Sequence, residues 1–183
     1  MDNKGRVITL TMSEEDAASL ELGDFLYLNG PMYVARDAAH KRLHELMKNG
    51  EELPIILQGE TIYYMGPSPA REGRPIGSAG PTTASRMDKY TPDFLDKGLR
   101  VMVGKGKRTK DVMDAMARNK SVYLAAIGGA GALLSKCIKK SEIVCYEDLG
   151  AEAVRRIEVE DFPVIVVGDI RGRSKYAYPC DRG

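Results

Sequence analysis

The sequence predicts an α/β or α+β layered domain built on a mixed sheet flanked by helices. Two observations carry that expectation: strand-like and helix-like segments interleave in the second half of the chain, while the first half is rich in strands. The bulk composition agrees. With 183 residues, 43% apolar and 29% charged, the chain has room for one ordinary domain spanning 1–183 and enough apolar side chains for a core, which excludes a disordered protein.

Taken in order, residues 6–12 set Val7, Thr9 and Thr11 against Ile8 and Leu10 and read as a strand. Ser13 then caps a short helix whose first turn holds Glu14, Glu15 and Asp16, acids that suit the positive end of a helix. Gly23-Asp24 ends that helix. Residues 25–28 form a strand leading to a turn at Asn29-Gly30, and Tyr33 and Val34 begin the next strand. Over 35–48 the period becomes helical, with Ala35, Ala39, Leu43 and Leu46/Met47 on one stripe, until Asn49-Gly50 stops it. Residues 62–65 are a strand. The glycine- and proline-rich stretch 66–81 is too long for a mere connection and reads as a functional loop.

After that loop the pattern predicts a helix over 82–89, a second opened by Thr91 as N-cap with Pro92 at N1, and Gly98 as its stop. Residues 101–103 are a strand, 107–118 a helix and 121–127 a strand. A glycine-rich turn then leads to a short helix over 132–136. Strands near 143–145, 153–159 and 164–167 complete the chain.

Charge and targeting signals narrow the class. Lys and Arg number 27 against 26 acids, a net charge of +1, which argues against a general nucleic-acid or membrane-surface binder. No apolar run approaches the roughly 18 residues of a membrane span, and Met1-Asp2-Asn3-Lys4-Gly5 begins no secretory signal. Cys137, Cys145 and Cys180 are an odd number without CxxC spacing, so neither a disulfide framework nor a self-contained metal site follows. The expectation is a soluble, cytoplasmic protein of a reducing compartment that holds no metal by itself.

Two phosphate-loop patterns fail in detail. Gly104-Lys105-Gly106-Lys107 has Val101 where the first Walker glycine belongs and Arg108 where the magnesium-binding hydroxyl belongs. Gly129-Ala130-Gly131 lacks the third glycine of a dinucleotide fingerprint, because Leu134 occupies it. His40 and His44 share a helix face four residues apart, but no third ligand lies at a usual offset, so they read as surface or capping histidines. The cations of 105–110 crowd a helix start, an unfavourable place for positive charge, so at least one should face an anion. In Gly80-Pro81-Thr82-Thr83-Ala84-Ser85-Arg86-Met87-Asp88, Pro81 fixes the chain ahead of a helix. Thr82 or Thr83 can cap that helix, free N–H groups face forward, and Arg86 adds a forked cation.

These motifs occur in a recognisable order. Ala35-Arg36-Asp37-Ala38-Ala39-His40-Lys41-Arg42, Tyr64-Met65-Gly66-Pro67, Gly77-Ser78-Ala79-Gly80-Pro81-Thr82-Thr83-Ala84-Ser85-Arg86-Met87-Asp88 and Gly104-Lys105-Gly106 are followed by Tyr146-Glu147-Asp148-Leu149-Gly150 and Glu158-Val159-Glu160-Asp161-Phe162-Pro163. Over about 7–167 the chain resembles the β subunit of class I, iron–sulfur-dependent fumarate hydratase and the C-terminal half of the single-chain enzymes. The β subunit of L(+)-tartrate dehydratase shares the pattern. The resemblance implies a swivelling β/β/α fold and a hydro-lyase that interconverts fumarate and (S)-malate, active only with an α subunit in a hetero-oligomer. It also implies that the α subunit carries the cysteine ligands of a [4Fe-4S] cluster, whose open iron binds substrate, while this chain binds none alone. Arg36 and Arg86 match arginines that bind substrate carboxylates, Lys105 a lysine that contacts carboxylate, and Thr82 the threonine proposed to take the proton from the malate carbon. Ser85 and Lys107 depart from the glycine and asparagine common in the family, neither at a matched catalytic position.

Chemistry supports part of that assignment. A C4 dicarboxylate needs separated cations, and arginine forks fit carboxylates. Removing a proton alpha to a carboxylate builds a dianion that clustered cations stabilise. A threonine base is less natural, because its hydroxyl pKa lies far above neutrality. Two other readings stay open at this point: a tartrate dehydratase β subunit, and a non-catalytic module that only docks on the iron–sulfur subunit.

Overall fold

Alternate residues along the central strands are sorted onto two faces, and that sorting sets the architecture. The computed structural model describes residues 5–127 and 131–176. Its elements are β1 (Arg6–Thr9), α1 (Glu14–Ala18), β2 (Phe25–Val34), α2 (Asp37–Lys48), β3 (Thr61–Tyr63), α3 (Thr91–Asp96), β4 (Val101–Gly104), α4 (Lys110–Asn119), β5 (Val122–Ala126), α5 (Gly131–Lys136), β6 (Ile138–Cys145) and β7 (Val154–Gly168). Short 3-10 segments lie at Ala84–Met87 and Glu147–Glu152. Among the described residues no helix is long and apolar enough to cross a membrane.

Strands β1, β2, β3, β4 and β5 pair in parallel, while β7 runs antiparallel to β2, β5 and β6. Because β7 pairs with both β5 and β2, the strands β2, β3, β4, β5 and β7 close into a ring, with β1 and β6 extending it. The mixed sheet with flanking helices is as the sequence predicts. Met32, Val34, Tyr63, Val101, Val103, Val122, Leu124, Val164 and Val166 share the inner cluster. Their neighbours Tyr33, Ile62, Tyr64, Met102 and Tyr123 face outward, where Ala39 and Leu43 of α2, Phe94 and Leu95 of α3 and Met113 and Met116 of α4 cover them.

Two expected breaks are absent. Asn29-Gly30 does not turn the chain, because β2 runs unbroken through it. The expected strands 153–159 and 164–167 are likewise one strand, β7. One bulge explains both misreadings. Leu28 pairs with Phe162 and Gly30 with Val159, so Asn29 alone faces both Glu160 and Asp161. Asp161 takes a positive φ of 50°, and its N–H donates to Asn29 Oδ1 at 3.0 Å. The turn-forming residues thus bend two long strands instead of ending them.

Helix starts are mixed in outcome. Ser13 caps α1 as expected, its Oγ accepting from Asp16 N at 3.0 Å. Thr91 is not a cap: it is the first residue of α3, and its hydroxyl donates to Met87 O at 2.9 Å. The helix expected over 82–89 is the single 3-10 turn Ala84–Met87.

The cation run 105–110 does face anions. Arg108, 2% exposed, donates from Nε to Oδ1 of buried Asp88 at 2.6 Å and from Nη2 to Thr91 Oγ1 at 2.9 Å. Its guanidinium carbon lies 5.2 Å from the Tyr64 ring centre and 4.9 Å from that of Tyr123. The other Asp88 oxygen accepts from Thr109 N at 2.6 Å, at the start of α4. Further along the run, Lys110 pairs with Asp114 at 2.6 Å. Removing one partner of a buried pair strands the other charge, a loss of about 3–5 kcal/mol. Asp88→Asn should therefore lower the unfolding free energy by that amount in urea titrations at neutral pH. A loss under about 1 kcal/mol would show that the pair does not anchor the fold.

Candidate active site

Parallel α/β sheets present their ligand sites beyond the carboxyl ends of the strands, and all four sequence-predicted site residues lie there. Arg36 follows β2 by two residues, and Lys105 follows β4 directly. Thr82 and Thr83 pass between the ends of β3 and β4: Thr82 N donates to Tyr64 O at 2.8 Å, Ala84 N to Lys105 O at 2.8 Å, and Thr83 bridges Lys105 in parallel. Arg86 comes one turn later, in the 3-10 segment.

A residue outside the expected set joins the two arginines. Asp37 Oδ1 accepts from Arg86 Nε at 2.9 Å, and Asp37 Oδ2 lies 3.4 Å from Arg36 Nε. Burial pushes the Asp37 carboxyl up, but its own backbone N–H and the bonds from Arg86 and Arg36 outweigh burial and hold it below the usual 3.8. Glu152, also outside the expected set, puts Oε1 3.3 Å from Arg36 Nε and accepts from Ala38 N at 3.3 Å. Gly66 completes the enclosure, since a Cβ there would collide with Arg36 Nη1. The adjacency of Asp37 to Arg36 was a signal available in the sequence. Glu152 gave none, being 116 residues away in the chain.

Thr82 is half-buried and Lys105 exposed, and neither side chain has a hydrogen-bond partner among the described residues. The expected array of free N–H groups is not formed. Thr82 N and Ala84 N are spent on the sheet, Arg86 N donates to Thr83 O at 3.4 Å, and neither threonine side chain caps the turn. The 3-10 turn therefore offers its side chains more than its backbone, and the helix end at this site is the start of α2, where Arg36 stands at the N-cap.

The loop 66–81 closes on itself. Ser78 N donates to Ser68 Oγ at 2.7 Å, Tyr63 Oη to Ala79 O at 2.5 Å, and buried Ile76 anchors it in the inner core. A cleft of about 250 Å³ beside it is lined by Pro67, Pro69, Ile76 and Arg155, apart from the four candidate residues.

His40 is not a surface residue, and His44 is partly buried. His40 is fully buried between Tyr64 and Phe94, with Nδ1 2.9 Å from Arg36 O. A carbonyl only accepts, so Nδ1 carries the proton. Burial depresses the ring's pKa from 6.5 to about 4, and it is neutral at pH 7. His44 Nε2 meets Asp93 Oδ2 at 2.6 Å. No group of three or more potential metal ligands occurs among the described residues. Cys137 precedes the eight-residue β6 and Cys145 ends it, roughly 25 Å apart at strand spacing, so the two do not sit together as ligands of one [4Fe-4S] cluster. Cys180 lies outside the described residues.

A closed mixed sheet with two arginines and a lysine gathered at its carboxyl ends defines an α/β domain with a cationic site at its strand ends. The family model for the fumarase C-terminus matches residues 1–178, and the chain belongs to that family, as its motifs imply. It is 46% identical over 151 residues to the aerobic class I fumarate hydratase of Escherichia coli, and 44% over 158 residues to fumarate hydratase 2 of Leishmania major. These alignments take in 81% and 85% of this chain but only 28% of either enzyme. It is also 37% identical over 171 residues to a putative L(+)-tartrate dehydratase β subunit of Methanocaldococcus jannaschii, covering 90% of this chain and 88% of that one.

His40 gives the site a pH signature. The unfolded chain takes up the imidazole proton near pH 6.5 and the folded chain only near 4, so stability falls as pH drops through that window, by about 3 kcal/mol. In NMR titrations the His40 ring should stay neutral to near pH 4, and His40→Gln should flatten the loss of urea stability between pH 6.5 and 4. A His40 midpoint at 6 or above would remove this contribution.

Proposed function

We propose that the chain is the β subunit of a hydro-lyase that hydrates fumarate reversibly to (S)-malate in a site shared with an iron–sulfur α subunit. One observation carries the reading: Arg36 and Arg86 share the carboxylate of Asp37 beside Thr82 and Lys105, at the ends of three parallel strands. The arginines bind the two carboxylates of a C4 diacid, and Lys105 adds a third positive charge. In the dehydration direction Thr82, deprotonated at Oγ1, takes the proton from the carbon next to a malate carboxylate and the electron pair moves into that carboxylate. The neighbouring cations stabilise the resulting dianion. As the pair returns to form the double bond, hydroxide leaves the adjacent carbon. With no helix end at the turn, these cations must also make Thr82 a competent base.

In this reading the cluster belongs to the α subunit, and the separation of Cys137 from Cys145 along β6 supports it. The complex is a hetero-oligomer of a reducing, cytoplasmic compartment. The tartrate reading has one specific support, the near full-length match to the archaeal β subunit. Substrate turnover distinguishes the two. A purely docking role would leave the cations around 82–86 without a task.

Mutation of the complex, assembled anaerobically with its iron–sulfur partner, tests the assignment. Arg36→Ala, Arg86→Ala and Lys105→Ala each leave a substrate charge unpaired, a loss on the order of 2–5 kcal/mol, so kcat/KM for fumarate should fall at least tenfold. Thr82→Ala should lower kcat with little change in KM. Wild-type kinetics in Arg86→Ala would return the chain to the docking role, and faster turnover of tartrate than of fumarate would reassign the substrate.

A further inference from the structure

We infer that Asp37 is a positioning residue that holds the two substrate-binding guanidiniums, Arg86 above all, side-on so that their terminal nitrogens face the diacid. This rests on the dicarboxylate reading above. Both contacts use Nε: Arg86 Nε lies 2.9 Å from one Asp37 oxygen and Arg36 Nε 3.4 Å from the other. Neither arginine's Nη groups have a hydrogen-bond partner among the described residues, so both guanidiniums keep donors for a carboxylate, Arg86 at its whole end and Arg36 beside Gly66, against which its Nη1 packs. A negative charge between two like cations also relieves the repulsion of holding them this close.

The two arginines depend on Asp37 unequally. Arg36 is also held by Glu152 Oε1 at 3.3 Å and packs over Gly66, and a quarter of its side chain is exposed. Arg86 is half exposed, and among the described residues Asp37 is its one ion-pair partner. Loss of the Asp37 charge should release Arg86 and leave Arg36 largely in place. Asp37 also opens α2, where an acid favours the helix for ordinary reasons, so the test must separate the two roles.

Three measurements do so. In the assembled complex, Asp37→Asn should raise KM for fumarate about tenfold while kcat changes less than threefold. Asp37→Glu keeps the charge at the helix start but moves the carboxylate one methylene outward. It should still raise KM at least threefold, whereas a purely helical role predicts wild-type KM. With Arg86→Ala already present, Asp37→Asn should raise KM by less than half its factor in the wild-type background. On the full chain alone, the Arg86 Nε–H resonance, identified by its absence in Arg86→Lys, should shift in both Asp37 variants, a readout that survives if one of them assembles poorly.

Failures are distinguishable. Wild-type KM in either Asp37 variant, or an unmoved Arg86 resonance, would overturn this inference and leave the hydro-lyase reading standing. A wild-type complex that turns over neither fumarate nor tartrate would sink that reading, and with it any role for Asp37 in catalysis.

Discussion

The buried pair of Arg108 and Asp88 is the constraint on which the rest of the site depends. It lies where the 3-10 turn after Thr83, the first residue of α3 and the approach to α4 meet the outer face of the sheet. The guanidinium sits between the rings of Tyr64 on the β3 side and Tyr123 on β5, so one charge registers three connections against the ring of strands. Burying an ion pair is costly and seldom stabilises a fold relative to apolar packing. Its use here is geometric: it fixes the turn that carries Arg86 against the loop that carries Lys105.

An ordinary helix signal is missing nearby. Arg36 occupies the N-cap of α2 and caps nothing with its side chain. The first turn is served from outside, by Glu152 accepting from Ala38 N, while neutral His40 donates to the Arg36 carbonyl one turn later. The cap that a serine or aspartate would supply locally comes from a residue more than a hundred positions away. This frees an arginine at the mouth of a parallel sheet.

Much of this was legible in the sequence because it depends on local pattern. The helical stripe of Ala39 and Leu43, the apolar strand 101–103 and the Ser13 cap follow from local pattern alone. The family motifs brought Arg36, Thr82, Arg86 and Lys105 to one end of the sheet. What could not be read depends on partners distant in sequence. Asn29-Gly30 carries the strongest hairpin signal in the chain, yet pairing with β7 on both sides of it overrides the turn. Thr82 looks like a cap, but its N–H pairs with Tyr64 O at the strand ends and the helical turn starts only at Ala84. His40 looks exposed by composition, and the rings of Tyr64 and Phe94 enclose it.

Closure of the ring has a consequence for the behaviour of the chain before it meets any partner. An open sheet offers unpaired N–H and C=O groups to other chains and so invites aggregation. Here β2, β3, β4, β5 and β7 have a neighbour on each side, and among the described residues only β1 and β6 keep a free edge. Strand β1 is four residues long and begins with Arg6; β6 carries Lys139, Lys140 and Glu142 before the exposed Ile143 and Val144. Charges on short or outlying edges discourage strand-to-strand addition. Colloidal self-protection is thus built into the same closure that brings three strand ends together around the arginines.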